Sequence, residues 1–290
     1  MKTDHVCYLC GQKNSGEVIG KVRDVPDMSV LKCKTCGLVF LENFDHIDDN
    51  FYEDSKMREN DSTKEWEGHL VECAEDDNRR VHMLLPLARN KRILDFGCGG
   101  GGFLLGIRDS CSLCAGLEKD RYFRDILKKK GITMFSDIEQ VEGKFDVITM
   151  FHVLEHLKDP KDMLKKLSKH LTDDGSMIIE VPNPDDALLQ LYKNKGFSEF
   201  TYWSCHLYLF NSTLLKKLIE DAGLEVNYIK HIQRYPLSNH LYWLSYGKPG
   251  GHKLWRFMDS PELTAAYENQ LAKIGATDTV VASVSLKKHK

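Results

Sequence analysis

Residues 93–104 read ILDFGCGGGGFL, and no other stretch constrains the fold so tightly. A β-prone run carries Asp95 and Phe96, glycines follow at 97 and 99–102, and an apolar helical pattern begins at Phe103. Glycine tolerates positive φ and lets a ligand touch the backbone, while the amides that open a helix present donors to a polar or anionic group. A strand, a tight ligand-binding turn and a helix are therefore expected here. The same order recurs downstream, where RILDFG, CAGLEKD, FDVITMF and SMIIEVPN alternate with the helical runs FLLGIRDS, RYFRDILKKKG and KDMLKKLSKHL. Such alternation makes a parallel sheet covered on both faces, so the expected class is α/β, with ligands beyond the carboxyl ends of the strands. A helix with Asn211 or Ser212 as its cap and Gly223 as its stop follows. Strands near LEVNYIKHI and TVVASVSL then flank an aromatic segment over 235–263.

The N-terminal 41 residues are of another kind. Cys7 with Cys10 and Cys33 with Cys36 form two CxxC pairs, each followed by glycine, across a mid-length loop. That spacing matches a four-thiolate zinc ribbon, in which a full set of protein ligands leaves no open position, so the zinc is expected to be structural. The chain divides on this reading into a ribbon (1–41), a helical connector (42–85), the α/β domain (86–230) and a closing segment with the last strand (231–290). Cys73, Cys98, Cys111, Cys114 and Cys205 lack a second pair and read as small buried hydrophobes or surface thiols. A formal net charge of −3 lacks the basic excess of a protein that grips nucleic acid widely. No apolar run of about 18 residues and no leader pattern after Met1 occurs, and the odd total of nine cysteines suits a reducing compartment. A soluble, cytoplasmic protein with a small-molecule substrate is expected.

Alone, the glycine loop suits either a dinucleotide, through Gly97, Gly99 and Gly102, or another nucleoside cofactor, through Asp95, Gly97, Gly99 and Gly101. Asp95 sits inside the turn where dinucleotide enzymes usually carry an apolar residue. Over roughly residues 85–230, CAGLEKD, FDVITMFHVLEHLKDP and TDDGSMIIEVPN resemble, in order and spacing, the class I S-adenosylmethionine-dependent methyltransferases. The resemblance implies a Rossmann-like, seven-stranded, mostly parallel sheet whose last strand is antiparallel. It also implies S-adenosylmethionine as cofactor, with Glu118 accepting from the ribose hydroxyls and Asp137, beside Ser136 and Ile138, accepting from the adenine amine. Phe151, closing the fourth-strand segment, joins the cofactor-lining group.

His152, Glu155 and His156 follow that strand, in the zone facing the methyl donor and its acceptor. Methyl transfer needs alignment and removal of a proton, for which a histidine near neutrality is suited. Glu155 and His156 can equally cap or pack the following helix. In HLYLF, alternation would place His206, Tyr208 and Phe210 on one face of an extended segment. Similar stretches border the acceptor pocket in sugar- and surface-polysaccharide-modifying methyltransferases, which makes His206 and Tyr208 candidates, against the plainer reading of core residues. Tyr235, Asn239, His240, Trp243, Tyr246 and Trp255 could form a lid over a sugar ring or base, or merely a packing or dimer surface. The resemblance favours a hydroxyl of a sugar or nucleotide-linked sugar as acceptor. Carbon methylation of a deoxysugar, a nicotinamide-dependent oxidoreductase and a non-catalytic ribbon adaptor are the rivals.

Overall fold

The computed structural model describes residues 6–13, 16–25, 27–47, 51–53 and 66–288. Its strands are β1 (Gly16–Lys21), β2 (Ser29–Cys33), β3 (Val39–Leu41), β4 (Arg92–Phe96), β5 (Leu113–Leu117), β6 (Thr133–Phe135), β7 (Phe145–Phe151), β8 (Leu171–Pro182), β9 (Tyr208–Leu209), β10 (Leu224–Ile232) and β11 (Thr279–Leu286). Seven of them form one sheet in the order β6-β5-β4-β7-β8-β11-β10. β4 to β8 run parallel, and β11 lies antiparallel between β8 and β10. This is the Rossmann-like sheet expected, with the last strand reversed. Ile93, Leu94, Ile148, Met150, Ile178 and Ile179 are all fully buried, as central strands covered on both faces require. β6 escaped the sequence reading because three residues are too few for a period to show.

The helices are α1 (Trp66–Ala88), α2 (Gly102–Ile107), α3 (Arg121–Lys129), α4 (Pro160–Ser168), α5 (Ala187–Gln190), α6 (Lys195–Thr201), α7 (Ser212–Asp221), α8 (Leu237–Tyr246), α9 (Gly251–Leu254) and α10 (Pro261–Lys273). Short polar side chains start six of them, α3, α4, α5, α6, α7 and α10. Asp120 Oδ1 accepts from Tyr122 N–H at the head of α3, and Asn211, rather than Ser212, caps α7 by accepting from Leu214 N–H. The connector expected over 42–85 is, among the described residues, short turns and then the long helix α1. The aromatic segment expected over 235–263 is folded into α8, α9 and the start of α10. No described helix is long and apolar enough to cross a membrane.

β1, β2, β3 and β9 make a second, antiparallel sheet. Its fourth strand comes from far along the chain, Val39 pairing with Leu209 and Phe40 with Tyr208. The strand expected in HLYLF is therefore only Tyr208–Leu209. His206 lies ahead of it in a turn closed by its own N–H on Trp203 O (3.0 Å), so His206 and Tyr208 do not share a strand face. Tyr208 instead packs its ring against Tyr8 and Phe44 at 5.0 and 5.3 Å between centroids. Apolar residues of both sheets belong to one continuous core, from Cys7 and Leu38 through Phe210 to Val284.

Candidate active site

The glycine run does two jobs. Gly97, Gly99 and Gly101 take φ values of 73, 52 and 75°, which turn the chain from β4 into α2. Gly100 and Gly102 instead lie under α1, where a Cβ would stand 2.5 Å from the ring of His69 and 2.1 Å from Asp77 Oδ2 respectively. The long helix thus presses directly on the loop.

Asp95 is buried at 3% exposure and accepts from Thr149 Oγ1 at 2.7 Å. Burial pushes its carboxyl up to about 7 against the Thr149 hydrogen bond, which favours the ion. On the neighbouring strand, Glu118 Oε2 accepts from Gly99 N–H (2.8 Å) and Oε1 from Asp120 N–H (2.9 Å). Burial raises this carboxyl too, and the two backbone donors oppose the rise. Glu118 is therefore held in one orientation, tied to the glycine loop.

It faces a cavity of about 500 Å³ walled by Phe96, Leu117, Phe123, Val153 and Met163. The carboxylates of Glu118 and Asp120 edge this mostly apolar slot, an arrangement that suits a flat ring bearing hydroxyls. A second cavity of about 530 Å³ has a different lining, including Asp76, Asn183, Asp186, Arg234, Tyr235 and Trp243. Both cavities are lined by Arg23, His69, Gly97, Gly99, His152, His156 and Trp203, so they are two lobes of one cleft.

His152 stands at the junction with a φ of 54°, unusual for a residue with a side chain and a form of strain that clusters at functional sites. Its Nε2 lies 3.2 Å from Glu180 Oε1 and its Nδ1 3.4 Å from Glu155 Oε1. Burial and Arg234 press His152 towards neutrality, yet the two glutamates outweigh them and leave its pKa raised. Glu180, at the end of β8, is fully buried and also accepts from Arg79 (2.9 Å to each oxygen) and from Arg80 Nη2 (2.7 Å) on α1. Burial opposes its ionisation, but His152 and the arginines hold it well below the usual carboxylate range. Asp76, also on α1, pairs with Arg234 beyond β10. Ion pairs thus fasten the helix across the floor of the polar lobe.

Of the other sequence candidates, His156 lines both lobes, His206 and Gly101 the polar one, and Phe151 the polar one beneath Arg80, whose guanidinium carbon is 4.6 Å from the ring centre. Asp95 lies beneath the loop rather than in the cavity wall. Asp137 pairs with Lys119 and caps the turn at 138–140, and Ile138 is in the core, so neither lines a lobe. Tyr208 lies outside the cleft, its hydroxyl donating to Lys158 O at 3.3 Å. Tyr235, Asn239, His240 and Trp243 line the polar lobe, whereas Tyr246 and Trp255 pack beside Tyr242. Arg23, His69 and Trp203 were not read as candidates. Arg23 comes from the N-terminal sheet, where its guanidinium carbon lies 4.9 and 4.8 Å from the ring centres of Phe200 and Trp203. No local pattern marks such a residue.

The four N-terminal cysteines converge. Cys7 and Cys36 sulfurs are 3.6 Å apart, Cys10 and Cys33 3.7 Å, and all four lie within 4.8 Å of one another. Zinc–sulfur bonds of about 2.3 Å at tetrahedral angles separate sulfurs by about 3.8 Å. The donor set fits one such ion. Cys111 and Cys114 instead donate to the carbonyls of Ile107 (3.2 Å) and Leu104 (3.6 Å).

Residues 66–229 match the family model described as a methyltransferase domain. Among curated proteins, the chain is similar to a ubiquinone biosynthesis O-methyltransferase of Haemophilus ducreyi, 26% identical over 129 residues, covering 36% of this chain and 55% of that protein. It is also similar to a tRNA U34 carboxymethyltransferase of Sulfurimonas denitrificans, 31% identical over 103 residues, 32% of this chain and 35% of that one. The chain thus spans only about half, or a third, of these relatives' lengths. Among solved structures it shares the fold of a putative methyltransferase of Haloferax volcanii, determined with the Trm112 methyltransferase activator. That match has a TM-score of 0.50 and 14% identity, and it covers 78% of this chain and 99% of that one.

Proposed function

We propose, from the premise that this chain belongs to the methyltransferase-domain family, that it moves a methyl group from S-adenosylmethionine to a hydroxyl of a polar small molecule, with a sugar or nucleotide-linked sugar as the acceptor class. The observation that carries the reading is the two-lobed cleft, an apolar slot and a polar chamber meeting at His152 and His156. Bound there, the cofactor would supply an electrophilic methyl on a sulfonium.

The chain's own residues do the rest. Glu118 keeps lone pairs beyond its two backbone hydrogen bonds, and these would accept from a ribose diol. Phe96, Leu117 and Phe123 would cover the base. His152, held at Nε2 by Glu180, would take the acceptor's proton at Nδ1 as the new bond forms. Asp76, Asn183, Asp186 and Arg234 offer donors and acceptors for a polyhydroxylated ring, and Tyr235 and Trp243 offer faces for it to lie on. Such a chamber suits a sugar better than a quinone ring. The four cysteines would hold a structural zinc, since four thiolates leave no open position for substrate.

Calorimetric titration with S-adenosylmethionine, S-adenosylhomocysteine, NAD and NADP tests the cofactor. Saturable binding of the first two is expected, weakened roughly ten- to a hundredfold in Glu118→Ala. Binding of the nicotinamide cofactors alone would overturn the reading. Mass spectrometry of sugar nucleotides incubated with enzyme and cofactor tests the acceptor, and His152→Ala is expected to lower turnover by about 10²–10⁴-fold while retaining cofactor affinity.

A further inference from the structure

One cluster in the wall of the cleft has no task in that reaction. We propose that Glu155, His156 and His206 form a second metal site, separate from the four cysteines, which takes a divalent first-row transition ion.

Glu155 is fully buried, and among the described residues neither of its carboxylate oxygens receives a hydrogen bond. His152 Nδ1 at 3.4 Å and His156 Nε2 at 3.9 Å approach Oε1 without hydrogen-bond geometry. His156 and His206 each also carry a buried Nδ1 that lacks a partner. Folded proteins pair nearly all their buried polar atoms, and a buried carboxylate that accepts no hydrogen bond is a costly group to leave so, even with imidazoles nearby. Unpartnered buried atoms on three side chains whose ligand atoms cluster together are a pattern, not a stray defect.

The three side chains offer one ligand atom each, all within 4.8 Å of one another. Metal–ligand bonds of about 2.0–2.2 Å hold opposite donors up to about 4.4 Å apart, so an ion would need to draw this set inward only slightly. A cation satisfies a carboxylate and two imidazoles at once, which no single hydrogen-bonding side chain does. Two nitrogens and one oxygen favour zinc, cobalt, iron or manganese over magnesium or calcium, which prefer all-oxygen sites.

The backbone frames the cluster from three distant parts of the chain. Glu155 and His156 lie in the single turn that follows β7, and Glu155 O accepts from Leu207 N–H at 2.9 Å. Leu207 O in turn accepts from Leu41 N–H at 3.0 Å, and Tyr52 OH donates to His156 O at 3.4 Å. The ring of Trp203 lies 6.5 Å from that of His156 and 5.7 Å from that of His206, walling the cluster with an aromatic surface. Three protein ligands leave coordination positions open, and both histidines line the polar lobe, so the open side faces that chamber. That an acceptor oxygen fills such a position rests on the functional reading above; the ion itself does not.

The test is a titration of the full-length, zinc-loaded protein with Co²⁺, followed by calorimetry and visible absorption, without cofactor. One further Co²⁺ per chain is expected, with a nitrogen–oxygen ligand-field spectrum and no thiolate-to-cobalt band. Glu155→Gln and His206→Gln, each verified as folded by circular dichroism, are expected to weaken that binding by more than the roughly 10–100-fold lost with a supporting residue. No uptake beyond the cysteine site, a thiolate band, or uptake unchanged in both variants would overturn the proposal. Any of these results leaves methyl transfer untouched, because the titration does not measure it.

Discussion

Asp95 lies near the end of β4 as a buried residue and Glu118 follows the adjacent β5 half-buried, at the same end of the sheet, and their surroundings treat them differently. Glu118 receives two backbone N–H groups and turns into the apolar lobe, whereas Asp95 receives one hydroxyl and stays beneath the turn. The Asp95 carboxyl, raised to about 7 from an ordinary value near 4, makes a stability contribution with a definite sign. Folding is favoured fully below the unfolded value and that contribution is lost as pH rises through 7, because the buried group must then ionise. Asp95→Asn, which cannot ionise, should therefore gain thermal stability relative to the parent as pH goes from 5 to 8. Parallel melting curves across that range check it, and a constant difference between the two proteins would contradict it.

At the scale of elements, α1 is the part that joins most of the cleft. It covers Gly100 and Gly102 from above, and its Asp76, Arg79 and Arg80 reach Arg234 and Glu180 at the ends of β10 and β8. Glu180 is the shared anion. Removing it leaves two arginines facing each other in a half-buried space, for which a loss of about 3–5 kcal/mol is expected from the behaviour of broken buried pairs. Glu180→Ala should accordingly lower the denaturation midpoint and speed amide exchange in α1, with β5 and β6 little changed. Protection unchanged in α1 would show that packing on the glycine loop, not the ion pairs, holds the helix.

For the whole molecule, the consequential contact is β3 with β9. It makes the N-terminal module a wall of the cleft rather than an appendage, bringing Arg23 to the polar lobe and fixing the turn that carries His206. Loss of one of the four clustered cysteines at the end of that sheet should therefore be felt in the cleft. Cys33→Ser is expected to raise amide exchange over residues 29–41 and 206–209 together, leaving β4 and β7 protected, as mass spectrometry of exchanged peptides would show. Exchange confined to 29–41 would mean that β9 stands without the module.

The sheet, the glycine turn, the position of Glu118 and the two cysteine pairs were legible in the sequence because each rests on local order. Alternating periods, residues with special φ and ligands three apart in a chain are properties of neighbours. His152, Glu155 and His156 were legible as a group for the same reason, being one short turn after a strand. Arg23, the exclusion of Tyr208, the second role of the glycines and the meeting of Glu155 with His206 were not, since each depends on segments separated by some 25 to 200 residues. Those were decided only when hydrophobic burial merged the two sheets into one core, because packing between distant segments, unlike periodicity, leaves no mark in the order of residues along either one.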